Sequence, residues 1–246
     1  MTRTASVCIP VYKQIPSESE VAALEFSLPK LSDFNIYLLC PRKLDTSFYD
    51  ASFSNLQKLE FDDYFFQSER TYSELLLRLE FYDCFSTDYL LILQPDALIF
   101  SDSLNYWIDE RYDYIGAPWP SGIDFPFSIL TPSFPSTYSV RPTVGNGGLS
   151  LRRISSIRKI LEKYAAQAAV WRNVGNPEDV FLGMALVLLP GARLPNLITA
   201  ASFSIETNPS FFLPLLEGAI PFGCHAFDRY EPSFWREQSF WPKELL

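Results

Sequence analysis

Four short stretches carry the side chains that could do chemistry. In LLILQPDALIF (90–100), Asp96 follows directly on an apolar run. NPEDVF (176–181) sets Glu178 beside Asp179, and PFGCHAF (221–227) holds His225, the only histidine of the chain. VGNGGLSLRR (144–153) spends three of ten glycines, Gly145, Gly147 and Gly148, within four positions.

Each stretch has a chemical reading and a plainer one. A carboxylate at the end of a strand can hold a divalent cation on phosphate oxygens, or it can cap a turn. A Glu-Asp pair opening a helix can supply a general base, or it can answer the helix's partial positive end. His225 reads as a ligand or as a packed, hydrogen-bonded residue. The glycines suit an Asn-Gly turn between strands or the close approach of another group to bare backbone.

Other chemistries are excluded. The four cysteines lie far apart without CxxC spacing, and three sit in apolar runs, so they read as buried free thiols rather than a zinc site or a disulfide framework. No G-x-S-x-G nucleophile elbow occurs. A net charge of −9 argues against nucleic acid, which needs a basic face, and gives no attraction to anionic membranes. No run of about 18 uncharged apolar residues predicts a transmembrane helix. The opening MTRTASVCIPVYK shows no leader pattern, which predicts a reducing cytoplasm.

The elements that must position these residues follow from periodicity. SVCIP (6–10), FNIYLLCP (34–41), YLLILQ (89–94) and YDYIGAP (112–118) read as strands. Between them fall helical patterns: SESEVAALEFSLPKL, with Ser17 and Glu20 at capping-box spacing, and TYSELLLRLEFYDCF (71–85). The alternation predicts one α/β domain over 1–246 with a mixed, mostly parallel sheet flanked by helices. Ligands of such sheets bind beyond the carboxyl ends of the strands, where Asp96 falls. Residues 119–143, rich in proline, read as a long irregular loop and a mobile lid. Helices are predicted over about 153–170 and from Pro177 onward.

Taken in order, Asp96, YDYIGAPW (112–119), VGNGGLSLR (144–152), PEDVF (177–181) and PFGCHAF (221–227) resemble the GT-A-fold glycosyltransferases. More closely, they resemble a family of uncharacterised glycosyltransferase-like domains. The match spans roughly residues 5–235. It implies a donor half of about 1–118 and an acceptor half of about 119–246.

The resemblance implies an inverting transfer of a sugar from a nucleotide-sugar donor to a glycan or other hydroxyl acceptor. Asp179 would be the base, with Glu178 beside it. Pro10, Val11, Tyr12, Arg78, Asp96 and Ala97 would meet the donor, and Trp119, Asn146, Gly147 and Gly148 the acceptor. Asp96 and His225 would be ligands for Mn²⁺ or Mg²⁺, but Asp96-Ala97-Leu98 lacks the second aspartate of a DxD motif. The metal is therefore expected to arrive with the nucleotide diphosphate. The competing reading is a noncatalytic sugar-nucleotide or glycan-binding module that kept the fold.

Overall fold

The computed structural model describes residues 4–133, 135 and 137–245. Met1–Arg3, part of the stretch read for a leader, lie outside the described residues, as do Phe134 and Ser136 of the expected lid.

The core is a six-stranded sheet. Four strands run parallel: β1 (Ala5–Pro10), β2 (Asn35–Pro41), β3 (Leu56–Phe61) and β4 (Tyr89–Leu93). After β4 come β5 (Ala97–Ile99), β6 (Tyr114–Ile115), a two-residue hairpin pair β7 (Phe125–Pro126) and β8 (Ser139–Val140), and β9 (Leu149–Arg153). The order in the main sheet is β3-β2-β1-β4-β9-β6, with β9 antiparallel to both neighbours. Strand β9 from the expected acceptor half lies between β4 and β6 of the donor half, so the sheet does not divide at residue 118.

β1 and β4 are buried at every position, and apolar at all of them but Ser6, as a central parallel strand requires. Successive side chains take opposite faces. Val7 and Ile9 enter one core with Leu38, Leu91 and Leu93, while Cys8 enters the other with Leu39, Leu90 and Ile92. The first core is covered by α1 (Glu18–Ser27), whose Ser17–Glu20 capping box forms as predicted. Next in the chain are α2 (Ser47–Ser52), α3 (Glu69–Leu76), α4 (Leu79–Tyr82) and α5 (Leu104–Asp109). The helix expected over 71–85 is thus two helices, because Leu77 and Arg78 leave helical geometry between α3 and α4.

The second core lies under α3, α4, α6 (Ile154–Lys163), α7 (Ala165–Val174) and α8 (Glu178–Val187). Tyr164 breaks the run expected as one helix over 153–170 into α6 and α7. Helix α9 (Leu197–Phe203) leads into β10 (Ser204–Ile205), which joins β11 (Gly223–His225) and β5 in a small sheet beside the main one. Cys8, Cys40 and Cys224 are buried free thiols, and Cys84 is an exposed one. Among the described residues no helix is long and apolar enough to cross a membrane.

The 119–143 segment differs from the expected irregular loop. It carries the β7–β8 pair, and Leu130 and Val140 are buried in the second core. Phe125 meets the Trp171 ring at 6.1 Å, and the carbonyl of Leu130 accepts from the Gln167 side chain. These contacts fasten its base to α7.

Candidate active site

The chain runs outward from β1 through β2 to β3, then returns to the other side of β1 as β4. The direction of strand order therefore reverses between β1 and β4, which is where parallel sheets bind ligands. A cleft of about 470 Å³ opens there. Pro10, Val11, Tyr12 and Lys13 line it from the end of β1, and Gln94, Pro95 and Asp96 from the end of β4. Ser68, Glu69 and Tyr72 of the α3 region form a third wall, with Tyr49 and Phe66 adding aromatic faces.

Of the expected donor residues, Pro10, Val11, Tyr12 and Asp96 thus meet at one cleft. Ala97 does not join them, since its side chain is buried in β5 among the core residues. Arg78 is not among the cleft's lining residues. It lies over the Phe65 ring and pairs with Glu74, one helical turn away.

The antiparallel register of β5 and β11 sets His225 opposite Ala97, so residues from distant parts of the chain become neighbours. His225 Nε2 lies 3.3 Å from Asp96 Oδ1 and 3.0 Å from Gln94 Oε1. Its Nδ1 lies 3.3 Å from Glu206 Oε1. Burial opposes the charged imidazole, but the carboxylates of Asp96 and Glu206 outweigh it and push the His225 pKa up to about 9. Burial likewise raises Asp96, and the His225 contact overrides it and lowers the carboxyl below its ordinary value. The ring thus sits between two carboxylates that favour its charged form.

This arrangement does not fit a preformed metal centre. His225 Nε2 already faces Asp96 and Gln94, and Nδ1 faces Glu206 and, at 3.3 Å, the Asn146 amide nitrogen, so both ring nitrogens are engaged within the protein. Leu98, at the position of the missing second aspartate, is buried in β5 opposite Cys224. Among the described residues no group of three or more His, Cys, Asp or Glu side chains is arranged to hold a metal ion.

Asn146 organises the other side of the site. It is buried and adopts a positive φ of 82°. Its Oδ1 accepts from the backbone N–H groups of Gly148 and Leu149, at 2.8 and 2.9 Å. Its Nδ2 donates to Glu206 Oε2 at 2.7 Å, so Asn146 and His225 converge on one carboxylate. Its backbone N–H donates to Asp179 Oδ2 at 2.9 Å. With its side chain fully engaged, Asn146 is a scaffold rather than the acceptor contact expected of it.

The glycines answer to the same neighbours. None of Gly145, Gly147 and Gly148 has a positive φ, so turn geometry does not explain them. A Cβ on Gly148 would overlap the His225 imidazole, and one on Gly147 would come within 2.7 Å of Glu178 Oε1. Close approach is the reason for both. The groups that approach are Glu178 and His225, where an acceptor sugar was expected. Trp119 does likewise: half-buried, its ring lies against Gly145.

The Glu178–Asp179 pair divides sharply. Alternation along β9 sends Leu149 and Leu151 into the first core, so Ser150 and Arg152 take the opposite face, toward α8. Arg152, fully buried, donates from Nη2 to Glu178 Oε1 at 3.0 Å, and Ser73 Oγ donates to Glu178 Oε2 at 2.9 Å. Glu178 is thus consumed in a buried ion pair beneath Gly147 and has no free oxygen for the catalytic part expected of it. Asp179 is only partly buried. Burial foremost, then the charge of Glu178, pushes its carboxyl up to about 7, against the pull of the Asn146 and Val180 N–H groups.

Lys13, Gln94, Tyr72, Ser73, Arg152 and Glu206 do not stand out in the sequence. Only Arg152 carries a legible signal, being a charge on the inward face of an alternating strand, which demands a buried acid.

The fold defines the chain as an α/β protein with a GT-A-like fold. It is similar to the apo crystal structure of mouse xyloside xylosyltransferase 1, at 11% identity, covering 91% of this chain and 97% of that one with a TM-score of 0.55. It is also similar to galactosyltransferase LgtC in complex with donor and acceptor sugar analogs, at 12% identity over 89% of this chain and 86% of that one, TM-score 0.51. An active-site mutant of LgtC gives 14% identity, the same coverages and a TM-score of 0.54. No curated protein sequence matches significantly. The chain belongs to the family described as protein of unknown function DUF5672, whose model matches residues 55–225.

Proposed function

We propose that the protein transfers a sugar from a nucleotide-sugar donor to a hydroxyl of a glycan or other acceptor, inverting the anomeric carbon. Asp179 takes the acceptor's proton as the acceptor oxygen bonds to that carbon. The bond from the carbon to the diphosphate oxygen breaks on the opposite face, and its electron pair leaves with the nucleoside diphosphate. One displacement needs one base, and a carboxyl titrating near neutral pH suits that task.

The observation that carries this reading is Asn146. One residue holds the carboxylate of Asp179 through its backbone and, through its side chain, the Glu206–His225–Asp96 array that ends in the cleft. In this reading the nucleotide lies along Pro10, Val11, Tyr12 and the α3 wall, and Lys13 and His225 face the leaving diphosphate. A divalent cation, Mn²⁺ or Mg²⁺, would be held by the nucleotide's phosphates, with Asp96 as the exposed carboxylate beside it.

Leu98, buried where a second aspartate would stand, favours as a second reading a module that binds the sugar nucleotide without turnover. Incubation with a panel of nucleotide sugars and glycan acceptors, with the product's anomeric configuration read by proton NMR, tests both. Inverted product supports the proposal; retained configuration removes Asp179 from the role of base. Binding without product favours the module.

A further inference from the structure

Two nitrogens from distant parts of the chain meet beside the cleft: Asn146 Nδ2 and His225 Nδ1 lie 3.3 Å apart in a buried setting. The far end of the Asn146 amide fixes its direction. Its Oδ1 accepts from the N–H groups of Gly148 and Leu149, so Nδ2 can only donate. That donor has two neighbours to choose between. His225 Nδ1 could accept only if it carried no hydrogen. Glu206 Oε2 is the closer, at 2.7 Å, and its partner oxygen Oε1 lies 3.3 Å from the same Nδ1. An amide hydrogen given to the carboxylate leaves Nδ1 to keep its own and to donate it to Glu206 as well. The hydrogen bond at one ring nitrogen thereby decides where the ring carries hydrogen.

The small sheet brings Glu206 to this point. Strand β10 pairs parallel with β11, setting Ile205 opposite Cys224, and β11 pairs with β5, setting Cys224 opposite Leu98. Ile205, Cys224 and Leu98 pack together in the core beneath that sheet. Alternation therefore turns Glu206 and His225, the next residue in each segment, to the opposite face. There the Glu206 side chain is only 21% exposed, with both oxygens engaged.

We propose that Glu206 is a positioning residue of the site: its carboxylate takes one hydrogen bond from the Asn146 amide and one from the Nδ1–H of His225, fixing the amide and the ring together. Its two arms lead to opposite sides of the reaction. Through Asn146, whose backbone N–H donates to Asp179, Glu206 holds the base in place. Through His225, whose Nε2 faces Asp96 and Gln94, it holds two residues of the cleft wall. Its effect on turnover rests on the transferase reading, whereas the hydrogen-bond assignment stands apart from it.

His225 is the only histidine of the chain, so ¹⁵N labelling of histidine gives a single pair of ring signals. In the wild type, Nδ1 is expected to carry hydrogen. In Glu206→Gln the side-chain oxygen can still accept from Asn146, but its N–H₂ group then faces Nδ1. That nitrogen should become an acceptor, leaving the hydrogen on Nε2. Glu206→Ala should do the same, with Nδ1 accepting from Asn146 instead. In steady-state kinetics on a nucleotide sugar that the wild type turns over, Glu206→Gln keeps the Asn146 arm and loses the His225 arm. It should therefore raise the donor KM by about tenfold or more with kcat within a few fold, whereas Glu206→Ala should lower kcat by about tenfold as well. A wild-type Nδ1 without hydrogen, or unchanged ring signals in folded Glu206→Gln, overturns the inference. Equal loss of kcat in the two variants overturns it too. If no nucleotide sugar is turned over, the transferase reading fails and the ring signals still decide the role of Glu206.

Discussion

The backbone N–H of Asn146 donates to Asp179 Oδ2 at 2.9 Å, while the side chain of the same residue donates to Glu206 Oε2 at 2.7 Å. A residue at positive φ thereby ties a helix N-terminus to the ion-pair array at the mouth of the cleft. Non-glycine residues tolerate that conformation only when surrounding contacts over-determine it, and here five hydrogen bonds to Asn146 do so.

Asp179→Asn is expected to cut turnover by at least about 10²-fold while leaving donor affinity within a few fold. The amide can still accept one of the two backbone bonds, so the fold should persist. Steady-state kinetics beside a donor thermal-shift curve checks this, and near-full activity in the variant removes Asp179 from the mechanism.

The pH dependence of stability follows from the same carboxyl. Its folded-state pKa, about 7, lies above the ordinary value of 3.8. The protonated form is thus favoured by folding: its contribution is full below about pH 4 and is lost as pH rises through about 7. Asp179→Asn should therefore gain stability relative to the wild type at pH 8, by about a few kcal/mol at most, and lose that advantage as pH falls to about 4. Chemical denaturation at the two pH values decides it; a pH-independent difference contradicts the raised value.

Gly148→Ala should be more damaging than its single methyl suggests. The new Cβ would strike the His225 ring, which is gripped by Asp96, Gln94 and Glu206 and has little room to yield. Overpacking of this kind costs about 1–3 kcal/mol. Thermal unfolding should show the loss, and the His225 ring signals in NMR should shift; an unchanged spectrum would mean that the ring is not held as described.

Metal affinity should depend on the nucleotide. Mn²⁺ titrated into the free protein is expected to give weak or no heat, because His225 is already engaged and Leu98 supplies no carboxylate. The same titration into protein saturated with a nucleoside diphosphate is expected to give saturable binding. Tight binding to the free protein contradicts this, and full activity in EDTA would leave Lys13 and His225 as the cations of the site.

Much of this was legible in the sequence because it is local. The runs VCIP (7–10) and YLLIL (89–93) are apolar, and only a strand covered on both faces buries such a run, so the parallel sheet follows. The Ser17–Glu20 box sets a helix start within four residues. Asp96 and Tyr12 reach the cleft because strand ends lie there in any sheet of this type.

What the tertiary structure decided is which atoms face which. The glycines of VGNGG were readable as a turn or a close approach, and only the arrival of Glu178 and His225 from elsewhere in the chain shows the second. Glu178 and Asp179 are adjacent carboxyls with the same local signals, yet one is neutralised by Arg152 from a strand and the other is not. Likewise Glu206, in SIETNP, carries no local mark of its role, since its partners come from β11 and from the loop before β9. Periodicity records how a segment meets the core as a whole, whereas a proton's affinity depends on charges a few ångströms away, and folding alone brings those charges together.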